Sequence, residues 1–117
     1  MGITNGNPAF DPTEAMEGVG DDRELLGQMV AIFCAESPGM LSAIRKSLDT
    51  GDTKELARAA HALKGSVGNF GKSQSFKVAE ALELNGLSDA VGDSDAQLLA
   101  LEGLISNLER DLTAFCR

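Results

Sequence analysis

The 117-residue chain has no tryptophan, no tyrosine, two cysteines, three prolines and one histidine. One histidine and two distant cysteines, Cys34 and Cys116, cannot furnish a zinc site of the usual nitrogen and sulfur type. Both cysteines sit in apolar helical patterns and read as small packing residues, not as a staple. Basic residues are also scarce, 10 against 18 acidic ones, for a net charge of −8. Such a chain repels a phosphate backbone overall, which disfavours nucleic-acid binding. No apolar run approaches the roughly 20 residues of a membrane span, and no signal peptide opens the chain, so membrane insertion is not expected and a cytoplasmic location is. Strand signals are missing too: no stretch alternates β-branched and polar residues.

What remains is one domain's worth of helical pattern, with 43% hydrophobic residues to build a core. Residues 1–9 carry turn formers without a period and read as a flexible lead-in to a domain over 10–117. A short helix is expected from Phe10 to Val19, opened by Asp11-Pro12. A second runs from about Asp22 to Glu36, with Leu26, Met29, Val30 and Phe33 on one stripe and Leu25 and Ile32 beside it for a second neighbour. Ser37-Pro38 reads as a cap and first-turn proline, starting a third helix that buries Met40, Leu41, Ile44 and Leu48. A fourth helix, capped by Asp52 or Thr53, reaches about Phe70 and ends at Gly71. The fifth spans roughly Ser73 to Leu84, closed by Asn85-Gly86. The last covers Ser94 to Phe115, with apolar residues at 98, 101, 105, 108, 112 and 115. Short connections favour antiparallel neighbours, hence an all-α, up-and-down bundle of five or six helices.

The informative segment runs from Leu56 to Gly71. Leu56, Ala60, Leu63, Val67 and Phe70 share one face of a helix, which must be the core face. His61 points away from it, toward solvent or the edge of a groove. Its helical neighbours are Ala57 and Arg58 one turn before, Lys64 and Gly65 one turn after, and Gly68 two turns after. Glycine inside a helix costs about 1 kcal/mol relative to alanine, and on an outward face core packing cannot explain it. Close approach by another surface can. Residues 54–72 hold Lys54, Arg58, Lys64 and Lys72 against Glu55, a net of +3, which leaves −11 for the rest of the chain. A cationic patch on an acidic domain suggests docking to something anionic. Imidazole, with an unperturbed pKa of about 6.5, is largely neutral at pH 7 and can act as a nucleophile, and a lysine one turn away can face incoming phosphoryl oxygens.

Ala60-His61-Ala62-Leu63-Lys64-Gly65-Ser66, followed by Gly68-Asn69-Phe70-Gly71, resembles the signature of histidine-containing phosphotransfer domains. The resemblance extends through Val78, Ala79, Leu82 and Glu83 and covers roughly residues 20–115; Ser75 and Lys72 depart from the pattern. It implies a four-helix bundle with one or two short accessory N-terminal helices. It also implies that His61 accepts a phosphoryl group from a receiver-domain aspartate and passes it to another receiver. The nitrogen distal to the backbone is the usual carrier, Lys64 the supporting charge, and Gly65, Gly68, Arg58 and Ala57 the access and docking surface. The implied partners are receivers and a hybrid sensor kinase. Mg²⁺ is then expected in the receiver, with no cofactor or metal in this chain. Such a chain is expected to be a monomeric carrier without turnover of its own, free-standing or part of a larger hybrid histidine kinase. The alternative is a helical adaptor that docks a receiver or signalling partner without carrying phosphate. Gly71-Lys72-Ser73 imitates the end of a phosphate-binding loop, but an amphipathic helix precedes it where a buried strand is required. In histidine-kinase dimerisation domains an acidic residue usually follows the histidine; here Ala62 does.

Overall fold

The computed structural model describes residues 9–117, so the lead-in expected at 1–9 lies outside the described residues except for Ala9. That residue is tied down, its N–H donating to Asp111 Oδ2 at 2.9 Å. Among the described residues all regular structure is helical, in five elements: α1 (Pro12–Glu17), α2 (Arg23–Thr50), α3 (Thr53–Gly68), α4 (Gln74–Leu87) and α5 (Ser94–Phe115). Four of the starts have a side chain accepting a hydrogen bond from a first-turn N–H: Asp11, Asp22, Asp52 and Ser73. Helix α2 ends at Gly51, whose φ of 71° supplies the left-handed turn into α3.

Helix α2 packs on α3, α3 on α4, α4 on α5, and α5 returns to α2, with α1 resting on α2. The shared core takes Leu26, Phe33 and Ile44 from α2, and Leu56, Ala60, Leu63 and Val67 from α3. From the later helices it takes Ala79, Leu82, Leu98, Leu101, Ile105, Leu108 and Leu112. Phe33 meets the Phe70 ring edge-on at 5.4 Å. Cys34 and Cys116 are free thiols packed against this core, and burial pushes the Cys34 thiol up.

Four expectations need correction. The second and third helices are one, and Pro38 lies inside it. Ser37 does not cap: its hydroxyl is buried and donates to Glu109 across the α2–α5 contact. Pro38 sits on the exposed side, where the carbonyl it frees can turn to water, so packing along α2 outweighs the local break. The first helix is shorter than Phe10–Val19, because Gly20 and Asp21 turn left-handed after Gly18. Asn85-Gly86 does not end α4, which continues to Leu87 with Gly86 buried against α3. Helix α2 does meet two neighbours, α3 and α5, but not by burying Leu25 and Ile32, which stay 41% and 57% exposed.

Helix α2 contains an 18-residue window that is apolar and long enough to cross a membrane, although no unbroken apolar run of that length exists. Its Leu26, Val30, Phe33 and Ile44 face the other helices, as in the core helix of a globular domain.

Candidate functional site

The five residues assigned to the inward face of α3, Leu56, Ala60, Leu63, Val67 and Phe70, are all essentially sealed from solvent. That burial fixes the rotation of α3 and turns His61 outward, with 68% of its side chain exposed. The side chain is not free, however. Its Nδ1 lies 2.8 Å from Oε2 of Glu83 on α4, and the other oxygen, Oε1, lies 2.6 Å from Nζ of Lys64. Glu83 is thus a bridge between the histidine and the lysine, with each carboxylate oxygen committed to one partner. Only 14% of its side chain is exposed, and the neighbouring Leu82 is fully buried.

The electrostatics follow from this geometry. Partial burial pushes the Glu83 carboxyl up, but the hydrogen bonds and charges of Lys64 and His61 outweigh it and hold the group below the usual carboxylate range. The hydrogen bond to Glu83 raises Lys64 above its ordinary value, with its partial burial opposing. At neutral pH Glu83 is an anion and accepts the Nδ1–H of the imidazole. In the neutral ring this tautomer puts the lone pair on Nε2, on the far side of the ring, away from α4 and toward solvent. A ring so placed can act as an oriented nucleophile through an open nitrogen, the histidine–carboxylate logic of activated sites.

Of the residues expected around the histidine, Lys64 is in place but shared with Glu83. Arg58 is exposed and reaches only Glu55, at 3.9 Å. Gly65 is open, with nothing within 4 Å of where a Cβ would stand. Gly68 is not open: a Cβ there would meet the Phe76 ring of α4 at 3.3 Å. Ala57 is buried, because Gly86 brings α4 against its backbone. Both corrections have one cause: α4 packs along this flank of α3, closing over positions 57 and 68 and reaching His61 and Lys64 through Glu83. The patch is also less cationic than residues 54–72 suggest, since Glu83 on α4 pairs with Lys64 and the charge of Glu80 acts on it as well.

Glu83 is the residue that sequence reasoning missed as a functional group. It fell inside the family resemblance without a role. The only signal available was its place on α4 between the core residues Ala79, Leu82 and Gly86, which puts it on the border facing α3.

A helical domain that presents one outward histidine on a packed helix, backed by a carboxylate and a lysine, has the make-up of a phosphoryl carrier. A model of the Hpt domain family matches residues 28–111, and the chain belongs to that family. As a member it is a phosphotransfer module of two-component signalling, of a class that carries phosphoryl groups and works with receivers and kinases. Among solved structures, the crystal structure of histidine-containing phosphotransfer protein B from Pseudomonas aeruginosa PAO1 is similar in fold. The TM-score is 0.85 over 95% of this chain and 96% of that one, at 17% identity. No curated protein sequence matches the chain.

Proposed function

We propose that His61 carries the phosphoryl group on Nε2, taking it from the aspartyl phosphate of one receiver domain and passing it to the aspartate of another. The observation that carries this reading is the 2.8 Å contact of Nδ1 with Glu83 on a side chain that is 68% exposed. It leaves Nε2 as the nitrogen free to attack. In the accepting step Nε2 forms the N–P bond while the aspartyl O–P bond breaks and returns its electron pair to the carboxylate. Such transfer is mostly positioning and charge stabilisation, and the receiver brings Mg²⁺ and the second carboxylate. Lys64 lies one turn from His61, where it can turn a donor N–H from Glu83 toward a phosphoryl oxygen.

The open flank for a partner is the Gly65 side of α3. Beside Gly65, a groove between α2 and α3 is lined by Met29, Ile32, Glu36, Ser66 and Asn69, with Ile32 over half exposed. The apolar part of this groove suits the packing face of a receiver, while Arg58 and Lys64 on α3, and not the groove, supply the positive charge for its acidic phosphoryl site. In this reading α2–α5 are the up-and-down four-helix bundle and α1 is the accessory helix. The module works as a monomer in the cytoplasm, downstream of a hybrid sensor kinase.

Incubation with a phosphorylated receiver should move label onto this chain, and His61→Gln should abolish it without changing helical circular dichroism. Label that persists in His61→Gln would refute the assignment. A chain that binds the receiver yet takes no label would be a docking adaptor instead. With ATP and Mg²⁺ alone the chain should stay unlabelled.

A further inference from the structure

Transfer through Nε2 leaves the ring with a charge to accommodate. When Nε2 attacks phosphorus while Nδ1 keeps its proton, the phosphorylated ring is cationic. If the ring then lost the Nδ1 proton it would be neutral, but it could release phosphoryl only by departing as imidazolate, a far poorer leaving group than imidazole. A carrier that must hand its cargo on therefore needs something that holds this proton after phosphorylation.

Glu83 is placed to do so. Its Oε2 is 2.8 Å from Nδ1, and its side chain is far less exposed than the imidazole, 14% against 68%. Oε1 is anchored by Lys64 at 2.6 Å, so the carboxylate cannot swing away without breaking a second contact. The charged groups around it are His61 and Lys64 from α3 and Glu80 from its own helix, which faces Lys64. Among the described residues α5, which also packs on α4, gives Glu83 no ion pair or hydrogen bond.

We infer that Glu83 is a positioning residue that acts as counter-ion to the phosphorylated His61 ring, holding the proton on Nδ1 so that the phosphoryl group stays transferable. The inference rests on His61 being the carrier. In the onward step an acceptor carboxylate oxygen forms the new O–P bond, the P–Nε2 bond breaks, and its electron pair returns to Nε2. The proton remains on Nδ1 throughout, and the ring leaves as the neutral tautomer that began the cycle. No general base takes part.

The test uses the whole chain phosphorylated with phosphoramidate, a small donor that needs no docking surface. A ³¹P titration of phosphorylated His61, against a short unstructured peptide of residues 58–64 phosphorylated the same way, reads the Nδ1 proton directly. The folded chain should keep that proton to a pH about one unit above the peptide, the size expected for one nearby opposite charge. Onward transfer to a receiver should fall off with rising pH along the same curve. In Glu83→Gln the fall should begin about one pH unit earlier, a loss of up to about tenfold beyond it, and Glu83→Asp, which keeps the charge, should recover part of the shift. A purely structural role would change the rate equally at every pH and leave the curve in place. A folded chain that titrates with the peptide overturns the inference without recourse to any variant. So does a Glu83→Gln chain that titrates with the parent. A parent that takes no phosphoryl group on His61 overturns the carrier assignment itself, a distinct result.

Discussion

Three glycines lie along the α3–α4 contact or beside it, and the structure assigns them opposite responses to alanine. Within a helix, replacing glycine by alanine gains about 0.5–1 kcal/mol through backbone entropy. At Gly65 nothing stands within 4 Å of the added methyl, so the full gain should appear, a rise of about 3 °C in midpoint for a domain of this size. At Gly68 the methyl meets the edge of the Phe76 ring at 3.3 and 3.4 Å. A half-buried ring can yield by a few tenths of an ångström, which offsets the gain and leaves the stability within about 0.5 kcal/mol of the parent. Gly86 differs in kind. Its methyl would stand 2.5 Å from the Ala57 nitrogen, 2.7 Å from the Thr53 carbonyl oxygen and 2.9 Å from the Ala57 Cα. All three are backbone atoms of α3, so no side chain can move aside. The helices must part by about 1 Å to restore ordinary contact, which forfeits a large share of the local packing. Overpacking of this kind costs about 1–3 kcal/mol, so even after the entropic gain Gly86→Ala should be destabilised by about 1–2 kcal/mol. Urea denaturation followed by far-ultraviolet circular dichroism ranks the three. The order should be Gly65→Ala above the parent, Gly68→Ala near it, and Gly86→Ala below. Gly86 lies one turn from Glu83, so Gly86→Ala should also slow labelling of His61. A Gly86→Ala chain as stable as Gly65→Ala would refute the close α3–α4 approach.

Gly65→Gln should keep the fold, slow labelling by a phosphorylated receiver, and slow labelling by phosphoramidate much less; equal effects on both donors would move the partner surface elsewhere. The Glu83 bridge sets a pH window. Because folding lowers Glu83, its contribution is present above its unfolded value of 4.5 and is lost as pH falls through the lowered value. Because folding raises Lys64, its contribution is present below 10.5 and is lost as pH rises through the raised value. Thermal midpoints across pH should therefore fall less steeply toward acid in Glu83→Gln than in the parent, and an unchanged acid slope would argue against the bridge. Leu63→Ala, at a fully buried position, should cost about 2–5 kcal/mol in denaturant unfolding; a loss under 1 kcal/mol would contradict its place in the core.

The periodic signals gave most of the fold because they report burial directly. The stripe on α5, from Leu98 to Phe115, matches the observed helix from end to end, and the five inward positions of α3 are all buried. Local signals failed where tertiary contact outbid them. Ser37-Pro38 has the chemistry of a helix start, but Ser37 is occupied by Glu109 and α2 continues through. Asn85-Gly86 has the chemistry of a helix end. Gly86 is needed for close approach to α3, and the Asn85 amide donates to Ser94 and Gln97 on α5. The same limit applies to the site. A helical wheel of α3 places His61, Lys64 and Gly65 correctly, but it cannot show that α4 covers Ala57 and half of Gly68. Nor can it show that a carboxylate 22 residues away supplies the partner of the imidazole. Charge counted along the chain made Lys64 a free cation; charge counted across the helix pair makes it half of a bridge.

The central claim is that Glu83 occupies Nδ1 and leaves Nε2 to carry the phosphoryl group. A ³¹P spectrum of the phosphoramidate-treated chain, assigned by its coupling to ring protons and compared with His61→Gln, tests it in one measurement. One resonance from Nε2-phosphohistidine is expected, absent in His61→Gln. A resonance from Nδ1-phosphohistidine, or one that survives in His61→Gln, would contradict it.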